Sequence, residues 1–152
     1  MCWNIYTKNE FKKKEQLIFK NNKLKTCYKV LKKNNFAYFK KNFKYNRGTL
    51  YINTDSLEIK YEKIFYSNEL CNIITIGFHS CETIDELNSY MNNFYFKRNI
   101  KKFYIPEGCE LSIKDDLNTQ VSNQIIFPFS PIVQKIRKFF GLNPLYSKIV
   151  KN

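Results

Sequence analysis

The chain is poor in glycine and proline and has a single histidine. It contains four glycines and four prolines among 152 residues, and neither G-x-x-x-x-G-K nor G-x-G-x-x-G occurs. Those glycine-rich loops are what a P-loop or a Rossmann nucleotide site needs to bring backbone N–H groups to phosphates, so both kinds of site are excluded. The scarcity of glycine and proline also argues against low-complexity linkers.

The cysteines do not form a recognisable framework. There are five of them, an odd number at irregular spacing, and no C-x-x-C pair: Cys2, Cys27, Cys71, Cys81 and Cys109. Neither a disulfide scaffold nor a zinc ribbon is indicated. A zinc site built from Cys71, His79, Cys81 and Cys109 would match no known ligand spacing. We therefore expect reduced thiols, no metal and no cofactor.

Long apolar runs are also missing. No stretch reaches the roughly 18 residues that a membrane-spanning helix needs, and the opening MCWNIYTKNEFKKK lacks the apolar segment of a secretory signal. Apolar residues make up 43% and charged residues 26% of the chain, as in ordinary globular proteins. We expect a protein of a reducing compartment, cytoplasmic or inside a host cell.

Acidic residues are nearly absent from the N-terminal third. The chain carries a net charge of +13, and residues 1–47 hold fourteen basic residues against Glu10 and Glu15, a net +12. This asymmetry predicts an anionic partner, either nucleic acid or a nucleoprotein complex, with a membrane surface as the lesser alternative. The 23 lysines against three arginines, with abundant Asn, Ile, Phe and Tyr, also fit A/T-rich codons.

Lysines and aromatic residues alternate between Lys23 and Arg47. Lysines on phosphates with rings stacked on bases are a common way to hold single-stranded nucleic acid. The predicted binding residues are Lys29, Lys32, Lys33, Lys40, Lys41, Lys44, Arg47, Tyr38 and Tyr45. The alternative is a solvated lysine face with its aromatic residues buried. Because lysine lacks the planar fork of arginine, we expect little sequence preference.

The remaining pattern predicts an α+β protein with a mixed or mostly antiparallel sheet of about five to seven strands and two short helices. A basic arm, residues 1–25, precedes a single domain at residues 26–152. The predicted strands cover residues 26–31, 49–53, 57–66, 72–78, 100–108 and 121–129.

Both helices have clear end signals. Thr83 and Glu86 form a capping box before a helix whose inner face is predicted to hold Ile84, Leu87, Met91 and Phe94. The last helix begins at Ser130-Pro131 and stops at Gly141. Its apolar residues are predicted to face the core, and its outer face to carry Gln134, Lys135, Arg137 and Lys138.

His79 lies between a strand pattern and a helix start. Adjacent strand residues point to opposite faces, so His79 and Ser80 cannot act together as base and nucleophile. His79 and Cys81 could share a face as a Cys–His pair, or Cys81 could pack under the helix as a small hydrophobe. No Asp or Asn is placed to orient the imidazole, so we predict that His79 ends the strand without a catalytic role.

The order CYKVL, YNRGTLY, GFHSC, IKKFYIPEG and VSNQII over residues 26–127 resembles small uncharacterised proteins of bacteriophages and large DNA viruses. More distantly, it is similar to the ADP-ribosyltransferase fold. That resemblance implies a pocket formed by Tyr28, His79, Ser80 and Gln124. It also implies a degenerate active site, because Gln124 stands near the position of the family's catalytic Glu and cannot supply its negative charge.

Two functions follow from these observations. The first is a viral or phage accessory protein that acts by binding nucleic acid or a nucleoprotein complex, such as a host-defence complex. The second is an ADP-ribosyltransferase-like enzyme with a degenerate site. The missing acid favours a binding protein over an enzyme.

Overall fold

The computed structural model describes residues 4–7, 18–37, 40, 42–58, 60–63, 70–74, 77–91, 99–113 and 119–151. Side chains are described for these residues except 4–7, 60–63, 70–74, 89–91 and 119. The strands are β1 (Asn4–Thr7), β2 (Phe19–Lys20), β3 (Lys25–Val30), β4 (Thr49–Ile52), β5 (Lys60–Lys63), β6 (Leu70–Ile74), β7 (Phe78–Cys81), β8 (Ile100–Ile105), β9 (Glu110–Ile113), β10 (Thr119–Ser122), β11 (Gln124–Phe127) and β12 (Lys148–Lys151). The helices are α1 (Ile84–Met91) and α2 (Pro131–Phe139), and a short 3-10 turn covers Lys33–Asn35.

The described strands form two sheets. The larger has nine strands in the order β12-β4-β11-β8-β3-β7-β10-β9-β2, and the smaller has the order β1-β6-β5. Only the β12–β4 pair is parallel among the described pairs. The predicted α+β class, mostly antiparallel sheet and two helices are confirmed. The predicted number of strands, five to seven, is wrong.

The prediction missed strands for two reasons: β1, β2, β9 and β12 lie where no strand was predicted, and two predicted strands are each divided into two. The run 72–78 is divided between β6 and β7, which belong to different sheets. The break falls next to Gly77, whose φ of 137° suits glycine alone, and a Cβ there would lie 2.6 Å from a Val121 methyl carbon. The run 121–129 is likewise divided at Asn123, between β10 and β11.

The larger sheet has a core on each face, because side chains alternate along every strand. Cys27 on β3 lies opposite Phe103 on β8, and both belong to the main core. That core also contains Leu31, Tyr45, Tyr51, Phe78, Ile105, Cys109, Leu111, Ile125 and Phe127. The other face carries a smaller cluster of Val30 and Cys81, covered by Leu87 of α1.

The predicted capping box of α1 is present. The Glu86 N–H donates to Thr83 Oγ1 and the Thr83 N–H donates to a Glu86 carboxylate oxygen, both at 3.2 Å. Leu87 is 1% exposed and faces the core as predicted, but Ile84 is 43% exposed and does not. The side chain of Met91 and all of Phe94 lie outside the described part of the chain.

Parts of the predicted N-terminal arm are paired with the rest of the protein. β1 pairs with β6, and β2 pairs with β9. Asn21 is 4% exposed, and its amide donates to the carbonyl oxygens of Ile105 at 3.3 Å and Pro106 at 2.8 Å. The boundary at residue 26 therefore stays a prediction, and these contacts cross it.

Helix α2 begins and ends where predicted, but it is turned the other way. Pro131 is in its first turn, and Gly141, with φ 69°, follows its end. The two half-buried residues are Gln134 and Arg137, which were predicted to face outward. The predicted inner residues Ile132, Val133, Ile136, Phe139 and Phe140 are 36–85% exposed.

This orientation follows from contacts made by the polar side of the helix. The Gln134 amide donates to the Phe129 carbonyl oxygen at 2.7 Å, and the Arg137 guanidinium lies 4.7 Å from the centre of the Phe129 ring. The Arg137 Nε–H also donates to the Asn143 carbonyl oxygen at 2.8 Å. Phe129 in turn packs on Gly48, so the polar side is held inward and the apolar side faces solvent.

Candidate nucleic-acid interface

A compact loop leaves the end of β3 and returns to β4. We call residues 31–47 the basic lobe. Bridges join Leu31 to Ala37 and Phe36 to Lys44, and the Ala37 N–H donates to the Phe43 carbonyl oxygen at 2.8 Å. Its tight turns place Asn34, Asn35 and Asn42 at φ values of 60–65°. Asparagine tolerates this left-handed region better than most residues, so the sequence suits the lobe.

The lobe is anchored to the main core by aromatic rings. Tyr45 is 4% exposed, and its ring lies 5.1 Å from both the Tyr51 and the Phe103 ring centres. Phe43 continues the cluster at 4.9 Å from Tyr45. Burial raises the pKa of the Tyr45 hydroxyl above its ordinary value, which keeps the group neutral. These contacts anchor the lobe to the main core.

The lysines of the lobe that the structure describes lie outside. The exposed cations are Lys32, Lys33, Lys40, Lys44 and Arg47. Lys40 Nζ lies 4.7 Å from the centre of the Phe43 ring, and Lys44 Nζ lies 5.8 Å from the centre of the Phe36 ring. Both are cation–π contacts, which attract the ammonium group to the ring. Arg47 lies over the Phe127 ring at 4.7 Å and donates to the Pro128 carbonyl oxygen at 3.3 Å.

The predicted binding residues therefore fall into three groups. Lys32, Lys33, Lys40, Lys44 and Arg47 share the surface of the lobe, while Lys29 lies beside it on β3. The prediction for Tyr45 is wrong, because a buried ring in the aromatic cluster cannot stack on a base. Lys41 and Tyr38 lie outside the described residues.

Strand β8 adds cations that the sequence pattern did not indicate. Lys101 is the direct Cα partner of Lys29, and the exposed Lys102 is the partner of Tyr28.

The lysines of β3 have partners of their own. The Lys29 ammonium donates to the His79 carbonyl oxygen, and Lys25 on the same strand forms an ion pair with Glu82 at 3.6 Å. Like charges directly opposite each other destabilise a sheet. Only the strand register, which no local pattern reveals, could have identified Lys101.

Acidic residues are scarce in this part of the sequence. The sequence contains no Asp or Glu between Glu15 and Asp55, whereas ten Lys and Arg residues fall in that interval. The carboxylate of Glu82 reaches one of them, Lys25. This excess of cations in the sequence favours a positive potential over the lobe, and such a potential attracts polyanions.

Comparisons with known proteins give no match. No family model, no curated protein and no solved structure matches the chain. The resemblances described above therefore remain expectations from sequence, and the function must be argued from the residues themselves.

The residues of the expected ADP-ribosyltransferase-like pocket are not brought together. Tyr28 on β3 pairs with Cys81, which puts it on the same face as His79 of β7. Ser80 is 0% exposed and points to the opposite face. Gln124 lies on β11, three strands from β7 in the sheet, or roughly 14 Å at about 4.8 Å per strand. These four residues do not line one pocket.

His79 is inside a strand and not at the end of one. It is the second residue of β7 and the Cα partner of Val121 on β10. The predicted strand end at His79 is therefore wrong: β7 runs from Phe78 to Cys81, directly after Gly77, whose φ of 137° suits glycine. Cys81 is 0% exposed and packs with Leu87 of α1, as one of the two interpretations predicted.

The described thiols are chemically quiet. Cys27, Cys81 and Cys109 are free and buried. Burial raises the pKa of the Cys27 thiol to about 12 and that of Cys109 to about 11. Since the thiolate is the nucleophilic form, neither is suited to covalent catalysis.

Within the described residues, no three His, Cys, Asp or Glu side chains are grouped to hold a metal ion. No helix in this part of the chain is long and apolar enough to cross a membrane.

Proposed function

We propose that the protein binds nucleic acid through phosphate contacts made by the basic lobe, with little sequence preference. The observation that carries this proposal is the exposure of five cations on a lobe that a buried ring anchors to the core. Its cations Lys32, Lys33, Lys40, Lys44 and Arg47 are exposed, while its Tyr45 ring is packed in the core.

The kinds of residue exposed on the lobe determine how it binds nucleic acid. Phosphate contacts carry no sequence information, and stacking on aromatic rings carries little, whereas hydrogen bonds to base edges do read the sequence. Phe36, 38% exposed beneath Lys44, is the described aromatic residue of the lobe that a base could reach. Electrostatic attraction therefore provides most of the affinity, and binding weakens steeply with salt.

The expected salt dependence can be stated. Each phosphate neutralised contributes about 0.7 to the slope of log K against log salt for single strands and about 0.9 for duplex DNA. If the five exposed cations of the lobe each neutralise one phosphate, the slope is about −3.5 to −4.5. Tyr45 and Leu31 anchor the lobe that carries these cations to the main core.

The test is fluorescence anisotropy with labelled single-stranded and duplex oligonucleotides of several sequences, measured over a series of salt concentrations. Lys33→Gln and Lys44→Gln should each make the slope shallower by about 0.7–0.9. Lys148→Gln removes the same charge from an exposed position on β12 and is the matched control; its slope should equal that of the wild type.

Two results would refute the proposal. The first is no change in anisotropy at low salt. The second is an equal loss of slope in Lys44→Gln and Lys148→Gln, since that would show that net charge, and not the basic lobe, determines binding. Strong discrimination between oligonucleotide sequences would contradict the phosphate-only mode.

A further inference from the structure

Helix α2 presents an unpartnered apolar surface. We call Ile132, Val133, Ile136, Phe139 and Phe140 the apolar helix face; their exposed fractions are 73%, 36%, 53%, 85% and 69%. The spacing i, i+1, i+4, i+7, i+8 places all five on one side of the helix. Phe139 and Phe140 alone expose roughly 300 Å², taking about 200 Å² for each aromatic side chain. That area falls at the lower end of the range of about 300–600 Å² for the largest apolar patch on a typical monomer. Patches of this size often mark interaction sites.

The exposure of the apolar helix face results from specific contacts that fix the orientation of α2. The helix has no buried residue, and its polar side is held by the Gln134 and Arg137 hydrogen bonds. After the helix, the Leu142 N–H donates to the Arg137 carbonyl oxygen at 2.9 Å, and the Phe129 N–H donates to the Leu145 carbonyl oxygen at 3.1 Å. The apolar helix face is therefore directed away from the domain by specific contacts.

Positive charges border this face and no acid lies nearby in sequence. After Asp116 the chain has no Asp or Glu, while Lys135, Arg137, Lys138, Lys148 and Lys151 follow. Lys135 is three residues from both Ile132 and Lys138 and four from Phe139, so it borders one side of the apolar stripe. Arg137 is four residues from Val133 and three from Phe140, so it borders the other side.

We propose that the apolar helix face docks on an anionic lipid surface, lying in the interface with Phe139 and Phe140 among the acyl chains and Lys135 beside the headgroups. A basic amphipathic helix with phenylalanine on its apolar side is typical of this mode. The site is separate from the basic lobe, and the proposal does not depend on nucleic-acid binding.

Charge and shape favour lipid over the other occupants. A second copy of the chain would bring two sets of acid-free cations together, and the whole protein carries +13. The rings of Phe139 and Phe140 are 85% and 69% exposed, so a protein partner would need a groove to bury them, whereas a bilayer interface accepts them without one. Anionic headgroups also complement the bordering Lys135, and a lysine near such a surface is worth about fivefold in affinity.

The test is co-sedimentation of the full chain with vesicles of phosphatidylcholine alone and of phosphatidylcholine mixed with phosphatidylserine. The wild type should bind the mixed vesicles. Phe139→Ser should reduce this binding by about tenfold or more, because it removes the most exposed apolar side chain of the face. Lys135→Gln should reduce it by about fivefold and have little effect on binding to phosphatidylcholine.

The matched control is Ile84→Ser, which removes a 43% exposed aliphatic side chain from α1. It should bind vesicles as the wild type does. Both Ser variants should keep the wild-type melting temperature, because neither side chain is buried. Phe139→Ser should also retain oligonucleotide binding, which separates this surface from the basic lobe.

Several outcomes would overturn the proposal. One is the absence of binding to mixed vesicles at low salt. Another is binding that Phe139→Ser leaves unchanged, which would assign it to the lysines of the N-terminal third. A dimer in light scattering that Phe139→Ser dissociates would assign the face to a second copy. A lower melting temperature in Phe139→Ser would show that the ring is part of the core.

Discussion

The contact between Gly48 and Phe129 connects the basic lobe to the C-terminal helix, and replacing Gly48 by Ala should break it. Gly48 has φ 73°, where an L-residue is disfavoured by about 1–2 kcal/mol. Its added Cβ would lie 2.7 Å from Phe129 Cδ1 and closer still to two other ring carbons. Forcing such a ring out of its place costs a further ~1–3 kcal/mol.

The sum is a loss of about 2–5 kcal/mol of unfolding free energy. For a chain of 152 residues this corresponds to a fall in Tm of roughly 4–20 °C. Urea denaturation followed by circular dichroism would measure it. Displacing Phe129 should also disturb the ring on which Arg137 lies and with it the position of α2.

Gly141→Ala is the matched control for this prediction. Gly141 also has a left-handed φ, 69°, but a Cβ there would meet nothing within 4 Å. Only the conformational penalty of about 1–2 kcal/mol remains. If Gly48→Ala and Gly141→Ala lose the same stability, the argument that the Phe129 ring occupies the space above Gly48 is refuted.

Two further predictions concern buried groups on the main core side of the sheet. The Gln120 side chain is 0% exposed, and its amide has no hydrogen-bond partner among the described residues. Gln120→Met should therefore raise the unfolding free energy, measured by urea denaturation, by about 1–3 kcal/mol. A loss of stability would show that the amide is satisfied. The Cys27 thiol has its pKa raised by burial from 9.0 to about 12. The pKa of the Cys27 thiol is higher in the folded protein than in the unfolded chain. The stability that the protonated thiol contributes is therefore complete below pH 9 and is lost as the pH rises toward 12. The urea midpoint of the wild type should accordingly fall between pH 9 and 10, and a Cys27→Ala variant with an equally steep fall would contradict this.

Local signals in the sequence predicted the parts of the fold that depend on local contacts. The capping box of Thr83 and Glu86 placed the start of α1, and Pro131 and Gly141 placed the ends of α2. Alternation predicted β3, β4 and β8. The division of the longer runs, the pairing of short strands such as β2 and β12, and the parallel pairing at one edge depend on contacts that are distant in sequence, so no local pattern could predict them.

The candidate site was predictable in charge but not in arrangement. Clustered lysines identified the basic segment, while the inward position of Tyr45 depends on Tyr51 and Phe103, which lie beyond the lobe. The reversal of α2 has the same cause. Its amphipathic pattern predicts an apolar face, but only the packing of Phe129 on Gly48 decides that this face points to solvent.

The edges of the nine-stranded sheet have a consequence for the solubility of the protein. An edge strand offers unpaired N–H and C=O groups to other chains and invites aggregation. One edge here is β2, with only two residues, and the other is β12, whose Ile149 and Val150 are enclosed by Lys148 and Lys151. A very short strand and flanking lysines are both devices that discourage strand addition. We therefore expect Lys148 and Lys151 to discourage the addition of a further strand to β12.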